Sequence, residues 1–261
     1  MSTREQQGVP DGIVLVGHGS SVEESNELVR RVGRRLESRI GKPVQVGFIE
    51  KSDPDVQSGV KSLIENCQSI TILPLLLFAA THIKQDIPEA IQQIKRDNPN
   101  ITIKRGKHLG SHPKMVEIVR QRVEDARSEL LSEQDPPETT VIFCPKGTSD
   151  KDANKTAKEI SKQLQQKIDW GQVKLAFLTM GSPSLESVLD TTTTDETRST
   201  IVVPYTVGDG IIANRIRSKA REFRKGNDTC RVITTDVVGA RIDDQLIDVL
   251  VDRAKRYDEE S

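Results

Sequence analysis

The sequence predicts an α/β protein of two tandem, related domains, each a four-stranded parallel sheet flanked by helices. Three observations carry that prediction. Short apolar, β-rich runs alternate with segments of helical periodicity along the whole 261-residue chain. The most apolar run, Ile70–Leu77, reads as a strand covered on both faces, as parallel strands are. The pattern then recurs at an offset of 128 to 130 residues, which is the signature of an internal duplication.

Taken in order, Gly12–Gly17 is a short buried strand, and Ser21-Val-Glu-Glu24 has the form of a capping box opening a helix. Leu28, Val29, Val32, Leu36 and Ile40 give that helix one apolar face, and Gly41 and Pro43 mark its end. Val44–Glu50 is the second strand. Asp53-Pro54 is expected to open the second helix, as a cap followed by proline at the first helical position. Ile70–Leu77 is the third strand, followed by a helix from about His82 to Arg96. Ile101–Lys107 is the fourth, and Ser111-His-Pro113 starts a helix reaching about Leu131.

The polar, proline-containing stretch from Ser132 to Glu138 suits a linker, so the expected domains are 1–132 and 139–261 with residues 133–138 between them. After it, Thr140–Cys144 repeats the first strand, and Pro145-Lys-Gly-Thr-Ser149 answers to Gly17-His-Gly-Ser-Ser21. Lys174–Pro183 answers to Gln45–Pro54, Ser199–Pro204 to Ser69–Pro74, and Arg231–Thr235 with Leu246–Arg256 to the fourth strand and its helix.

Composition excludes several function classes. The 38 basic and 39 acidic residues nearly cancel, leaving no basic field to attract nucleic acid. Cys67, Cys144 and Cys230 lack the spacing of a disulfide framework or a cysteine metal site and read as reduced core residues. The opening Met-Ser-Thr-Arg-Glu-Gln-Gln has no apolar signal segment, and no run is long enough to span a membrane, so the expected compartment is the cytoplasm.

The duplication allows a comparison within one chain. Features shared by both copies are scaffold, whereas polar groups at strand ends in one copy only are candidates for chemistry. His18 corresponds to Lys146, Glu50 to Thr179, and His82 to Ile211 or Ile212. Two imidazoles and a carboxylate suit divalent first-row metals, and a parallel sheet would bring all three to one rim. Such a site is too sparse for a structural metal but fits an ion that is received and released. Imidazole also accepts protons near neutral pH. The structural alternatives are a tight turn or phosphate-cradling loop at Gly17–Ser21 and an ordinary strand-end carboxylate at Glu50.

Leu-Val-Gly-His-Gly-Ser, Phe-Ile-Glu-x-Ser-Asp-Pro and Leu-Pro-Leu-Leu-Leu-Phe-Ala-Ala-Thr-His-Ile-Lys-Gln-Asp-Ile-Pro, with Gly110-Ser-His-Pro113 further on, resemble the sirohydrochlorin chelatases of the class II chelatase superfamily, the CbiX-type cobaltochelatases and siroheme ferrochelatases. The resemblance covers roughly residues 12–130, while the second half keeps the architecture without the signature. It implies a metal chelatase, a lyase inserting Co(II) or Fe(II) into a carboxylate-rich tetrapyrrole without ATP or an organic cofactor, for siroheme or cobalamin biosynthesis. On it, His18 and His82 are metal ligands and His18 a proton acceptor, with Glu50 an accessory ligand or relay. Asp53, Leu77, Phe78, Ala79, Ala80 and Thr81 match positions that contact the macrocycle. Leu77–Thr81 is partly core strand, so backbone contact is expected there. Asp53 has the helix-cap role as its alternative.

His112, before a proline, reads as structural, and His108 as a minor site candidate. Lys104, Arg105 and Lys107 could hold substrate carboxylates or merely protect an edge strand. The rival from another class is a non-catalytic tetrapyrrole or metal carrier. A nucleotide-binding reading of Gly17–Ser21 leaves His82 unexplained. Cobalt against iron, and the oligomeric state, stay open at this level.

Overall fold

The computed structural model describes residues 10–78, 81–130, 139–194, 199–226, 230–242 and 244–255, with the side chains of 81–85 and 193–194 outside the description. Two four-stranded sheets, parallel throughout, are present, in the orders β2-β1-β3-β4 and β6-β5-β7-β8. The first comprises β1 (Gly12–Gly17), β2 (Val44–Phe48), β3 (Ser69–Pro74) and β4 (Thr102–Arg105), with α1 (Glu23–Ile40), α2 (Val56–Lys61) and α3 (Thr81–Asp97) as crossovers. After α4 (Pro113–Leu130), the second comprises β5 (Thr139–Pro145), β6 (Gly171–Leu175), β7 (Ser199–Tyr205) and β8 (Arg231–Thr234). Its crossovers are α5 (Lys151–Lys167), α6 (Leu185–Thr194) and α7 (Ile211–Lys225), and α8 (Asp244–Lys255) follows.

Every residue of β1 and of β5 is buried, as a central parallel strand requires. Alternation divides the two faces. Val14 and Val16 join Ile70 and Ile72 in a core with Val56 and Val60 of α2 and Ile87, Ile91 and Ile94 of α3. Leu15 and Val46 instead approach Gly33 of α1. The second sheet repeats the arrangement with Ile142, Val202 and Val232 against Leu185, Val188, Ile216 and Ala220.

The units of packing are cut differently from the units of sequence. One compact unit comprises Met1–Gly110 with Ile242–Ser261, and the other comprises Ser111–Arg241. The helix that ends each repeat in the chain therefore belongs to the other unit. In the first, α8 packs on α1 and β3, and Arg35 and Arg39 each reach an α8 carboxylate, Asp244 and Asp248, at 2.8 Å. In the second, α4 packs on α5, β7 and β8. There Trp170 donates to Glu124 at 2.9 Å while Arg127 stacks 4.0 Å over its ring. His112 turns the chain into α4, its Nδ1 accepting from the Lys114 amide at 3.2 Å, which is the structural role expected of it.

Several local expectations are corrected. Helix α2 is capped by Asp55, whose carboxylate accepts from the Ser58 amide at 2.7 Å, rather than by Asp53 with Pro54 as its first helical residue. The physical reason is that the Pro54 carbonyl accepts from the Phe48 amide at 2.9 Å, so the chain runs alongside the end of β2 before it can coil. The Asp53–Pro54 and Ser182–Pro183 peptides are both cis. The Ser21/Glu24 capping box does not form: Val22 occupies the cap position without a side-chain hydrogen bond. Instead Asn26, a buried residue on α1, accepts from the Ser20 amide at 3.0 Å and donates back to the Ser20 carbonyl at 2.9 Å. The third strand stops at Pro74 rather than Leu77, because Leu76 and Leu77 turn their carbonyls to the amides of Leu109 and Gly110 beyond β4.

Candidate metal-binding site at the sheet rim

The order β2-β1-β3-β4 reverses direction between β1 and β3, and the carboxyl end of such a switch point is where open α/β sheets hold ligands. His18 follows β1 directly, Glu50 follows β2, and α3, which carries His82 as its second residue, begins after β3. The three candidate positions thus belong to three adjacent strands of one sheet.

Beyond the ends of β1 and β2 the ladder continues for two bonds. The Ile49 amide donates to the Gly17 carbonyl at 3.1 Å, and the Glu50 amide to the His18 carbonyl at 3.0 Å. That backbone pairing sets the side chains together: His18 Nδ1 lies 3.4 Å from Glu50 Oε1, with the side chains 53% and 44% exposed. Gly19 makes the closeness possible, because at φ +89° a Cβ there would fall 1.6 Å from the Glu50 carbonyl oxygen. A carboxylate beside Nδ1 favours the tautomer whose Nε2 lone pair is available to a metal. Half exposure leaves both side chains open to solvent.

Sequence reasoning missed two residues here. Lys51, at φ 59°, places its ammonium 2.7 Å from the same Glu50 oxygen, so the carboxylate stands between two cationic or protonatable groups. No spacing signal announces that contact. Asn26 fixes the loop that presents His18, and its signal was in the repeat: Asn154 makes the same pair of bonds to the Thr148 amide and carbonyl, at 3.3 and 2.6 Å.

The remaining predicted residues fall as follows. Asp53 is exposed, its carbonyl accepts from Arg30 at 3.3 Å, and its carboxylate has no ion-pair partner among the described residues. Leu77 is buried and Phe78 half-buried, so the Leu77 side chain belongs to the core. Ala79, Ala80 and the side chains of Thr81 and His82 lie outside the described residues.

The second sheet keeps the frame and changes the groups. The Thr179 amide donates to the Lys146 carbonyl at 2.9 Å, as Glu50 does to His18, and the Thr179 hydroxyl donates to that same carbonyl at 2.9 Å.

Fold and rim together define a two-repeat chelatase-type α/β protein. The structure of SirB from Bacillus subtilis with Fe3+ superposes with a TM-score of 0.81, at 26% identity over 93% of each chain. The CbiX family model matches residues 12–126 and again 140–257, and the chain belongs to that family. Among curated relatives, a sirohydrochlorin ferrochelatase of Bacillus subtilis is 28% identical over 217 residues, 82% of this chain and 81% of its own. A sirohydrochlorin cobaltochelatase of Priestia megaterium is 25% identical over 215 residues, 81% of this chain and 69% of that one.

Proposed function

We propose that this protein inserts Co(II) or Fe(II) into sirohydrochlorin, as a lyase of siroheme or cobalamin biosynthesis, with the first repeat as the working domain and the second as a degenerate copy. The observation that carries the reading is the rim of the first sheet, where imidazole and carboxylate are held 3.4 Å apart beside the switch point while the equivalent positions of the second repeat are Lys146 and Thr179. The relatives' names point to the same reaction with either metal.

In this reading the hydrated metal is taken by His18 and His82 with Glu50 nearby, and the macrocycle rests against the Leu77–Thr81 loop with Asp53 at its edge. Insertion exchanges one metal dication for two pyrrole protons. His18 accepts a proton at its ring nitrogen, and Glu50 accepts or relays the other. Lys51 sets its ammonium 2.7 Å from the Glu50 carboxylate and so helps to hold that side chain beside His18. Transfer runs toward product because the ring chelates with four nitrogens where the protein offers two or three contacts. The metal is substrate, no organic cofactor is required, and nucleic acid has no part. The three cysteines are buried and unpaired, which supports a cytoplasmic setting; no helix among the described residues is long and apolar enough to cross a membrane.

The test is the absorbance change of sirohydrochlorin with Co(II), Fe(II) and Ni(II) offered separately, corrected for spontaneous insertion. The parent should turn over at catalytic concentration and His82→Ala should lose about a hundredfold or more. Binding without turnover by the parent would identify a carrier instead, and an His82→Ala variant as fast as the parent refutes the site.

A further inference from the structure

Glu50 and Lys51 are neighbours in the chain, and in an extended strand neighbouring side chains leave on opposite faces. Here they meet, the Lys51 ammonium lying 2.7 Å from Glu50 Oε1. The backbone makes the meeting possible, because the chain has left the strand at Phe48 and Lys51 takes φ 59°. Among the described residues no other non-glycine has a positive φ. A residue with a Cβ enters that left-handed region at a cost, so its presence beside the candidate ligands calls for a reason. The answering residue of the second repeat, Met180, has neither the left-handed backbone nor the charge. The contact therefore belongs, with His18 and Glu50, to the groups that set the first rim apart.

Lys51 acts on Glu50 in two ways that have opposite signs for metal binding. One is orientation, since the ammonium helps to hold the carboxylate beside His18. The other is charge. His18 Nδ1, at 3.4 Å, and the Lys51 ammonium, at 2.7 Å, address the same oxygen of Glu50. A dication taken by that carboxylate must displace the ammonium or sit within one carboxylate's width of it. Orientation has other supports, because the Glu50 amide is bonded to the His18 carbonyl at 3.0 Å and the Ile49 amide to the Gly17 carbonyl at 3.1 Å. Those bonds remain when Lys51 is replaced. The repulsion has no such substitute, and a dication opposes an ammonium twice as strongly as a single charge at the same distance does. Lys51 is 57% and Glu50 44% exposed, so the ammonium on its flexible stem is free to swing aside and its opposition is moderate rather than prohibitive.

We propose that Lys51 is a rival cation built into the rim: it competes with the metal for Glu50, keeps the metal loosely held and so promotes its release to the ring. The inference deepens the proposed function and rests on it for the acceptor of the metal, whereas the competition is a property of the binding site alone. A site that held its ion tightly would slow the handover, because it would stabilise the bound ground state more than the transition state that follows. Lys51 touches neither metal nor ring in this role; it acts through Glu50, as a positioning residue.

The experiment measures Co(II) binding to the full chain by calorimetric titration and insertion into sirohydrochlorin by steady-state absorbance. Lys51→Asn removes the charge and keeps a residue at home in the left-handed region, Lys51→Gly does so without a side chain, and thermal melting checks both folds. Each should bind Co(II) about five- to tenfold more tightly than the parent at low ionic strength, with the gap closing as salt is added. KM for Co(II) and kcat should fall together by a similar factor, the mark of a ground state relieved of repulsion. Lys51→Arg, which restores a cation, should behave like the parent. With Glu50→Gln in place, adding Lys51→Asn should no longer tighten binding, because the carboxylate for which the two cations compete is gone. A Kd for Co(II) unchanged or weakened in Lys51→Asn and Lys51→Gly, or tighter binding with kcat unchanged, overturns the inference and leaves the proposed function of a metal-inserting parent standing. A parent that binds no Co(II) overturns it as well. A parent that binds Co(II) in this Lys51-dependent way without metallating sirohydrochlorin upholds the competition and refutes the proposed function.

Discussion

The two sheet rims are built on one backbone and carry different chemistry. In each, the residue after the first strand offers its carbonyl to an amide after the second, His18 to Glu50 at 3.0 Å and Lys146 to Thr179 at 2.9 Å. An asparagine on the first helix, Asn26 or Asn154, clasps the intervening loop from both sides. A glycine at positive φ, Gly19 or Gly147, lets the two turns touch. The scaffold that presents the groups has survived duplication, while the presented groups have not. Chemistry at such a rim is therefore separable from the fold, and each half serves as the other's control.

The sharpest way to break that comparison is at the presented groups. His18→Ala should lower metal insertion by about 10²- to 10⁴-fold, the span that a positioned proton acceptor contributes, with no loss of thermal stability because the side chain is half exposed. Lys146→Ala, its counterpart, should leave kcat within about twofold in the same absorbance assay, because no proton acceptor is lost there.

Next come the glycines. Gly19→Ala puts a Cβ 1.6 Å from the Glu50 carbonyl oxygen at φ +89°, so the turn must move and should cost about 1–3 kcal/mol in chemical denaturation together with most of the activity. Gly147→Ala, where the approach is 2.5 Å, should cost stability alike and leave metal affinity, read by calorimetric titration with Co(II), unchanged. A loss of metal affinity from the second change would mean that the rims are not independent.

The smallest effect belongs to the helix caps. The Ser58 amide holds the Asp55 carboxyl below its ordinary value of 3.8. A lowered folded-state pKa stabilises above the unfolded value and stops doing so as pH falls through the folded one. Asp55→Ala should therefore cost about 1 kcal/mol at pH 7 and progressively less below about pH 4, in urea melts across pH. The equivalent Ser184, whose hydroxyl accepts from the Ser187 amide at 3.2 Å, carries no titratable group, and Ser184→Ala should cost a similar amount with no acid dependence.

Much of this was legible because burial writes itself into sequence. Strands covered on both faces must be apolar throughout, so Gly12–Gly17 and the run after Ile70 stood out, and the repeat offset followed from their recurrence. Comparison of the two copies separates His18, Glu50 and His82 from the shared scaffold. The same comparison held Asn26 and Asn154 in view, but a polar residue inside a helix looks like solvent-facing surface until the loop it holds is seen. Asp53-Pro54 misled because a cap followed by proline is a good local helix start. Which carboxylate caps is decided by where the Pro54 carbonyl must go, and it goes to the Phe48 amide at the end of β2.

By itself, then, the sequence determined the α/β class, the four strands of each sheet, the duplication and the residues that distinguish one rim from the other. Only the tertiary structure decided that α8 completes the unit of β1–β4 while α4 completes that of β5–β8, and that Lys51 shares Glu50 with His18. The physical reason is that periodicity records how much of a helix is buried and on which face, but an apolar stripe fits either sheet. Which one it covers depends on partners more than a hundred residues away, such as Arg35 and Arg39 for Asp244 and Asp248, that no local pattern contains.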